Sequence, residues 1–183
     1  MILSMVWPPN SPWAPWWRTN RKTAREICKL AGISKDDIVY DLGCGDGTFI
    51  ITAAKEFEAK AVGIEIDRLR FFVSTLLLRC NRVVDMVTIK RKSFFDEDLS
   101  KATVVFVYLV PKTLDLLLPK FKKELKKGTR IVSYKYEMKL KKSSYAKALE
   151  DKQKAPLRQA CLPARQGFEG RAKVKNNLHL YII

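Results

Sequence analysis

The segment Asp41–Gly47 limits what this chain can fold into more than any other part of the sequence. It reads Asp-Leu-Gly-Cys-Gly-Asp-Gly and follows the apolar run Ile38–Leu42 directly. Thr48–Phe57, which comes next, has a pattern that predicts a helix. Three glycines in five residues let the backbone turn sharply and approach a ligand, because no Cβ stands between them. The sequence therefore predicts a strand, a glycine turn and a helix, with a ligand at the turn.

Strands and helices continue to alternate along the chain. A helix capped by Asn20 and ended by Gly32 precedes the first strand, and Asp67 is expected to cap another. The further predicted strands are Ala61–Ile66, Val87–Arg91, Thr103–Tyr108, Arg130–Tyr134 and Leu178–Ile183, and the further predicted helices are Arg68–Arg79 and Lys112–Leu125, the latter broken or kinked at Pro119. This alternation predicts an α/β fold with a mainly parallel sheet covered on both faces. Ligands bind such sheets at the carboxyl ends of the strands, where the strand order reverses.

The length of 183 residues fits one domain, which we expect to span residues 1–183. Residues 1–19 are rich in Trp and Pro and are expected to dock on this domain, whereas residues 139–177 form a basic segment without a clear pattern.

No apolar run reaches the about 20 residues that a membrane-spanning helix needs. No secretory signal is recognised at the start, so a cytoplasmic location is expected. The sequence does not indicate an oligomeric state.

Positive charge is concentrated in the second part of the chain. Residues 111–183 hold 19 Lys or Arg against 6 Asp or Glu, whereas residues 1–110 hold 16 against 13. Such a surface attracts nucleic acid or an acidic protein over a distance. A solvated, lysine-rich surface is the equally weighted alternative, because aromatic residues are not interleaved with the charges.

Cysteine and histidine patterns argue against metal and redox chemistry. Cys28, Cys44, Cys80 and Cys161 lie far apart and form no C-x-x-C pair, so reduced thiols are expected. His179 stands alone among apolar neighbours, which favours a structural role over metal binding or catalysis. No metal site is therefore predicted.

Three nucleotide classes compete for the glycine turn. A P-loop would need a lysine after the glycines, which is absent, so ATP and GTP are disfavoured. A dinucleotide motif would have its third glycine later than Gly47, and Asp41 and Asp46 would repel a pyrophosphate. S-adenosylmethionine carries an ammonium and a sulfonium but no phosphate, and thus suits an acidic turn. Glu65, at the end of the next strand, is placed to accept hydrogen bonds from both ribose hydroxyls.

With these residues the chain resembles the class I methyltransferases that depend on S-adenosylmethionine. Among them it is most similar to the small archaeal and mitochondrial-type protein-lysine methyltransferases. The similarity extends from about Pro12 to Glu137, together with the last strand. The segments that carry it are 36–47, 61–67, 93–95, 102–105 and 128–133, together with the Trp/Pro-rich stretch. It implies a three-layer, Rossmann-like methyltransferase sheet whose last strand is antiparallel.

The resemblance also implies roles for individual residues. Those expected to bind S-adenosylmethionine are Asp41, Gly43, Gly45, Gly47, Glu65, Ser93 and Phe94, with Asp41 at the methionine part and the last two near the adenine. Ser93 stands where the family more often carries Asn or Asp, and Phe94 is the weaker of the two adenine candidates. Residues expected to line an apolar channel for the acceptor are Trp17, Tyr108 and Tyr134. Trp13, Trp16 and Trp17 are expected either to cover the donor or a cationic target, or only to cover apolar surface.

Three hypotheses on function remain open at this stage. The first is transfer of a methyl group to a lysine of a protein substrate, which could be the chain itself. The second keeps the donor but takes RNA as the acceptor, because the second part of the chain is basic. The third is a non-catalytic module that retains the fold and binds the donor.

Overall fold

The computed structural model describes residues 18–138, 173–175 and 177–183. Its helices are α1 (Arg21–Ala31), α2 (Thr48–Phe57), α3 (Arg68–Asn81) and α4 (Pro111–Glu124), and a 3₁₀ helix spans Phe94–Asp96. Its strands are β1 (Ile38–Leu42), β2 (Lys60–Glu65), β3 (Val87–Arg91), β4 (Val104–Val107), β5 (Arg130–Tyr134), β6 (Lys173–Lys175) and β7 (Leu178–Ile182). The predicted bounds of β1, α2, β3 and β5 are confirmed residue for residue.

Two helices begin at the capping residues that the sequence indicates, whereas α3 ends two residues after the predicted Arg79, and α4 begins and ends one residue before the predicted Lys112 and Leu125. The Asn20 side chain accepts a hydrogen bond from the Thr23 N–H at 2.9 Å and so caps α1, which ends at Gly32 in a left-handed conformation. Asp67 caps α3 in the same way through the Arg70 N–H. Both predicted caps are confirmed.

Among the residues that the structure describes, the strands form a single seven-stranded sheet in the order β3-β2-β1-β4-β5-β7-β6. The first five are parallel, while β7 runs antiparallel to β5 and β6 antiparallel to β7. The mostly parallel sheet and the antiparallel last strand are thus confirmed. Strand β7 does not form the edge of the sheet, because β6 lies outside it. The strand order reverses at β1, between β2 and β4.

The sheet separates two apolar cores. One contains the buried side chains of α1 and α2, and the other those of α4 together with Phe94. Of the predicted break or kink at Pro119, the break is wrong, because α4 continues through this residue, and the kink stays a prediction. Asp115, whose carbonyl would accept the hydrogen bond that proline cannot donate, lies on the exposed side of the helix, where water can replace the donor.

In the described part of the chain, no helix combines the length and the apolar character that crossing a membrane requires.

Candidate functional site

The turn after β1 is built from glycines in conformations that other residues adopt rarely. Gly43, Gly45 and Gly47 have φ angles of 94°, 56° and 78°. The N–H groups of Gly43 and Cys44 donate to the carbonyl oxygen of Ile64 at 2.8 and 3.0 Å, which holds the turn against the end of β2. The predicted glycine turn therefore has a fixed backbone shape.

Glu65 connects this turn to the start of α3. Its Oε2 accepts a hydrogen bond from the Gly45 N–H and its Oε1 one from the Asp67 N–H, both at 2.9 Å. The side chain is 5% exposed. Burial raises the pKa of Glu65 and outweighs these two hydrogen bonds, which lower it. Each carboxylate oxygen keeps a lone pair for a further donor, such as a hydroxyl group.

Asp41 is a buried carboxylate next to two others. It is 3% exposed, and burial, followed by the charges of Glu65 and Asp46, raises the pKa of Asp41 well above its usual value. Asp46 accepts hydrogen bonds from the N–H and hydroxyl of Thr48 and forms an ion pair with Arg18, Nε to Oδ2 2.6 Å. The site is therefore rich in negative charge at its buried end.

The register of the sheet places the predicted site residues on one face. Asp41 pairs with Gly63 on β2 and with Phe106 on β4, and Phe106 pairs with Val132 on β5. Side chains two residues further along each strand point the same way. Glu65, Tyr108 and Tyr134 occupy these positions, so they share the face of Asp41 at the carboxyl ends of the strands.

Tyr108 and Tyr134 contact each other where β4 and β5 end. Their ring centroids are 4.6 Å apart at an interplanar angle of 65°, an edge-to-face arrangement. Burial, and after it the neighbouring tyrosines Tyr134 and Tyr136, raises the pKa of Tyr108, so its hydroxyl stays protonated near neutral pH. A Cβ on Gly43 would lie 3.7 Å from Leu109 Cδ2, so the chain directly after Tyr108 passes beside the glycine turn.

The remaining predicted residues lie elsewhere. Ser93 follows β3 at the same edge of the sheet, but its hydroxyl already accepts the Phe95 N–H at 3.2 Å. Phe94 is 8% exposed and packs in the core on the α4 side, 4.8 Å from the Phe95 ring centroid. A contact of either residue with adenine stays a prediction. Trp17 lies outside the described residues.

Sequence reasoning missed two contributors to the site. Arg18 pairs with Asp46 although 28 positions separate them, and nothing in the local sequence signals such a contact. Gly63 lies directly beneath the turn, because a Cβ there would be 2.8 Å from Cys44 Sγ and 2.7 Å from Ile50 Cδ1. A glycine inside an apolar strand is the signal that could have revealed this close approach.

Three of the four cysteines and the histidine lie within the described part of the chain. Cys28, Cys44 and Cys80 are free thiols, and no cluster of metal-binding side chains occurs there. Burial, followed by the charges of Asp41 and Glu65, raises the pKa of Cys44 well above its usual value, so it is a protonated thiol rather than a nucleophile. His179 has a buried Nδ1 that finds no hydrogen-bond partner among the described residues.

Comparison with known proteins decides the family. The ANTKMT methyltransferase domain matches residues 41–144, which start at the glycine turn and continue past Tyr134. The chain belongs to this methyltransferase family. The predicted recognition, an S-adenosylmethionine-dependent methyltransferase, is thereby confirmed, and a non-catalytic module is disfavoured.

Individual relatives agree with this assignment. The methyltransferase is 44% identical over 135 residues to a protein-lysine N-methyltransferase of Saccharolobus islandicus, covering 73% of the present chain and 82% of the relative. A ribosomal protein L11 methyltransferase of Alkaliphilus oremlandii is 33% identical over 101 residues, but only 32% of its length is covered. Among solved structures, an RNA methyltransferase from Salinibacter ruber in complex with S-adenosyl-L-homocysteine superimposes with a TM-score of 0.70 at 27% identity. That similarity covers 90% of this chain and 91% of the other.

Proposed function

We propose that this methyltransferase transfers the methyl group of S-adenosylmethionine to the side-chain amine of lysine in a protein substrate. The observation that carries the proposal is the shared sheet face on which the acidic pocket of Asp41 and Glu65 adjoins the aromatic pair of Tyr108 and Tyr134. The 44% identity with a protein-lysine N-methyltransferase supports lysine as the acceptor.

The buried carboxylates fit the donor. Asp41 has a raised pKa because it is buried beside Glu65 and Asp46, and a bound cation would compensate this unfavourable concentration of negative charge. S-adenosylmethionine supplies a methyl group on a sulfonium and a second positive charge on its ammonium. Asp41 would face the methionine part of the donor, and the free lone pairs of Glu65 would accept the ribose hydroxyls. The site residues thus keep their predicted roles as part of this proposal.

The aromatic pair would prepare the acceptor. A lysine ammonium must lose its proton before nitrogen can attack a methyl group. The partly buried rings of Tyr108 and Tyr134 would desolvate the amine and so lower its pKa. They would also fix its direction of approach, which is required for an in-line displacement. Neither tyrosine is assigned as a general base, because burial favours the protonated hydroxyl of Tyr108.

RNA is the second candidate acceptor. It is supported by the formal net charge of +16, most of which lies in residues 111–183, and by the similarity to an RNA methyltransferase over nearly the whole chain. The acidic pocket and the aromatic pair are compatible with both acceptors, so the acceptor must be identified experimentally.

The test uses the full chain, radioactive S-adenosylmethionine and fractionated cell lysate. Label that resists nuclease, is released by protease and maps to lysine by mass spectrometry supports the proposal. Label that only nuclease removes contradicts it and favours RNA. Intact-mass measurement of the enzyme with and without donor shows whether it methylates itself. Tyr134→Ala should lose transfer while retaining donor binding, whereas Tyr181→Phe is the control in the core on the other side of the sheet.

A further inference from the structure

Helix α3 carries more apolar surface than the described fold covers. Only Ser74 and Leu78 of its fourteen residues are buried. Leu69, Phe72 and Leu76, spaced three and four positions apart, form one stripe with exposed fractions of 55%, 66% and 51%. We call these three residues the α3 stripe. A helix with apolar residues around most of its circumference is usually covered on all sides.

A second apolar surface lies between α3 and the edge of the sheet. An open groove of about 500 Å³ lies between α3 and β3, the first strand in the sheet order. Its apolar lining comes from Phe71, Leu78, Val84, Val87 and Ile89. Val84 is itself 51% exposed. Exposed apolar surface of this kind marks a site where another segment or molecule packs.

Residues 1–17 have the composition to cover this surface. They contain four tryptophans and four prolines and no charged side chain. A segment without charges can pack on apolar side chains without burying an unpaired ion. Arg79, which lines the groove, adds a guanidinium that can stack on an indole ring.

Arg18, the residue that follows this segment, lies near α3. Arg18 is held by its ion pair with Asp46, and a Cβ on the next residue, Gly47, would lie 3.5 Å from Ser74 Cβ. A helix of fourteen residues is about 20 Å long and about 10 Å wide. Seventeen residues in a polyproline-like conformation span about 50 Å. The segment can therefore pass around α3 and along the whole stripe.

We propose that residues 1–17 pack their tryptophans on the α3 stripe, with the Arg18–Asp46 ion pair as the fixed end of the segment. Attachment to the same chain raises the effective concentration of the segment at the stripe, so modest contact energy suffices. The inference does not depend on which molecule accepts the methyl group, nor on bound donor.

Intrinsic fluorescence tests this directly, because all four tryptophans of the chain lie within residues 1–17. In the full chain without donor, we expect tryptophan emission to be shifted to shorter wavelength and shielded from acrylamide. Phe72→Asp should raise the quenching constant at least twofold, towards that of the unfolded chain. Leu116→Asp is the matched control, since Leu116 is 49% exposed on α4, and it should leave quenching unchanged. Far-UV circular dichroism verifies that both variants fold.

A distance-sensitive label gives a second readout. Cys80 is exposed and lies one turn after Leu76 on α3, whereas Cys28 and Cys44 are buried. In a Cys161→Ser background, a nitroxide on Cys80 should quench tryptophan emission, and Phe72→Asp should relieve that quenching.

Three results would overturn the inference. The tryptophans could be as accessible to acrylamide in the folded chain as in the unfolded one. Phe72→Asp and Leu116→Asp could behave alike, which would place the segment elsewhere. Sedimentation could show that Phe72→Asp converts a dimer into a monomer, which would make a second copy the occupant of the stripe.

Discussion

Replacing Glu65 by glutamine tests how the donor pocket is held together. The two carboxylate oxygens of Glu65 accept the N–H groups of Gly45 and Asp67. Glutamine has nearly the same shape but offers one oxygen and one NH₂ group, so one of the two N–H groups would face another donor. We expect Glu65→Gln to loosen either the glycine turn or the start of α3, and to weaken donor binding.

The expected size follows from the hydrogen bond that a carboxylate oxygen of Glu65 would accept from a ribose hydroxyl of the donor, which Glu65→Gln would remove. A hydrogen bond to a charged group contributes about 1.5–3 kcal/mol. A loss of this size weakens donor binding by about 10- to 150-fold. The effect on folding should be smaller, because burial raises the pKa of Glu65. A raised folded-state pKa means that ionised Glu65 lowers stability at neutral pH, and glutamine removes this cost.

Calorimetric titration with S-adenosylmethionine and thermal unfolding provide the two measurements. Glu97→Gln is the matched control, since Glu97 is also buried, at 3%, but pairs with Lys90 and Lys92 away from the turn. It should lower the unfolding temperature and leave donor affinity unchanged. Unchanged donor affinity in Glu65→Gln, or an equal loss in both variants, would refute the reasoning.

Three further predictions concern residues around the same site. Asp41→Asn should weaken donor binding yet raise the unfolding temperature of the donor-free protein at neutral pH. Because burial raises the pKa of Asp41, the stability of the wild type should fall as pH rises from about 4 through that pKa, while the stability of the variant stays level. Equal pH profiles of the two proteins would contradict this. Gly63→Ala should lower the unfolding free energy by about 1–3 kcal/mol in denaturant titrations and weaken donor binding, because the alanine Cβ would displace Cys44 in the turn. An unaltered midpoint of denaturant unfolding would contradict this prediction. Asp37→Ala should lower the free energy of unfolding by about 1.5–3 kcal/mol without changing donor affinity. The reason is that Asp37 is buried, pairs with Arg130 and accepts a hydrogen bond from the Thr103 hydroxyl. Loss of donor binding in this variant would contradict the prediction.

The sequence predicted β1, the glycine turn and α2 because the signals for them are local. β1, the glycine turn and α2 follow one another without a gap, and their chemistry depends on residue types that are adjacent in the chain. The position of Glu65 could be predicted from spacing alone, because this residue comes at the end of the short apolar run that predicts the second strand. The pairing of Tyr108 with Tyr134 needed the family resemblance, since their contact depends on the neighbouring positions of β4 and β5 in the sheet.

Other features could not be read from the sequence for identifiable physical reasons. β6 has only three residues, Lys-Val-Lys, which is too short to show an alternating pattern. Pro119 is compatible with a helix only because Asp115 lies on the exposed side, and exposure depends on the tertiary fold. The Arg18–Asp46 ion pair joins residues that become neighbours only when the sheet is assembled.

The return of the chain through β6 and β7 affects how this protein can diverge. Residues 139–172 join two described positions of the fold, Met138, whose N–H donates to the Tyr181 hydroxyl, and Lys173, the first residue of β6. Both ends of this insertion are therefore anchored to one side of the scaffold, apart from the strands that form the donor pocket. Doubling the length of a flexible connection costs only about 0.6 kcal/mol. The length of this connection can thus change during evolution at small thermodynamic cost, while β1, β2 and the glycine turn between β1 and α2 stay unchanged.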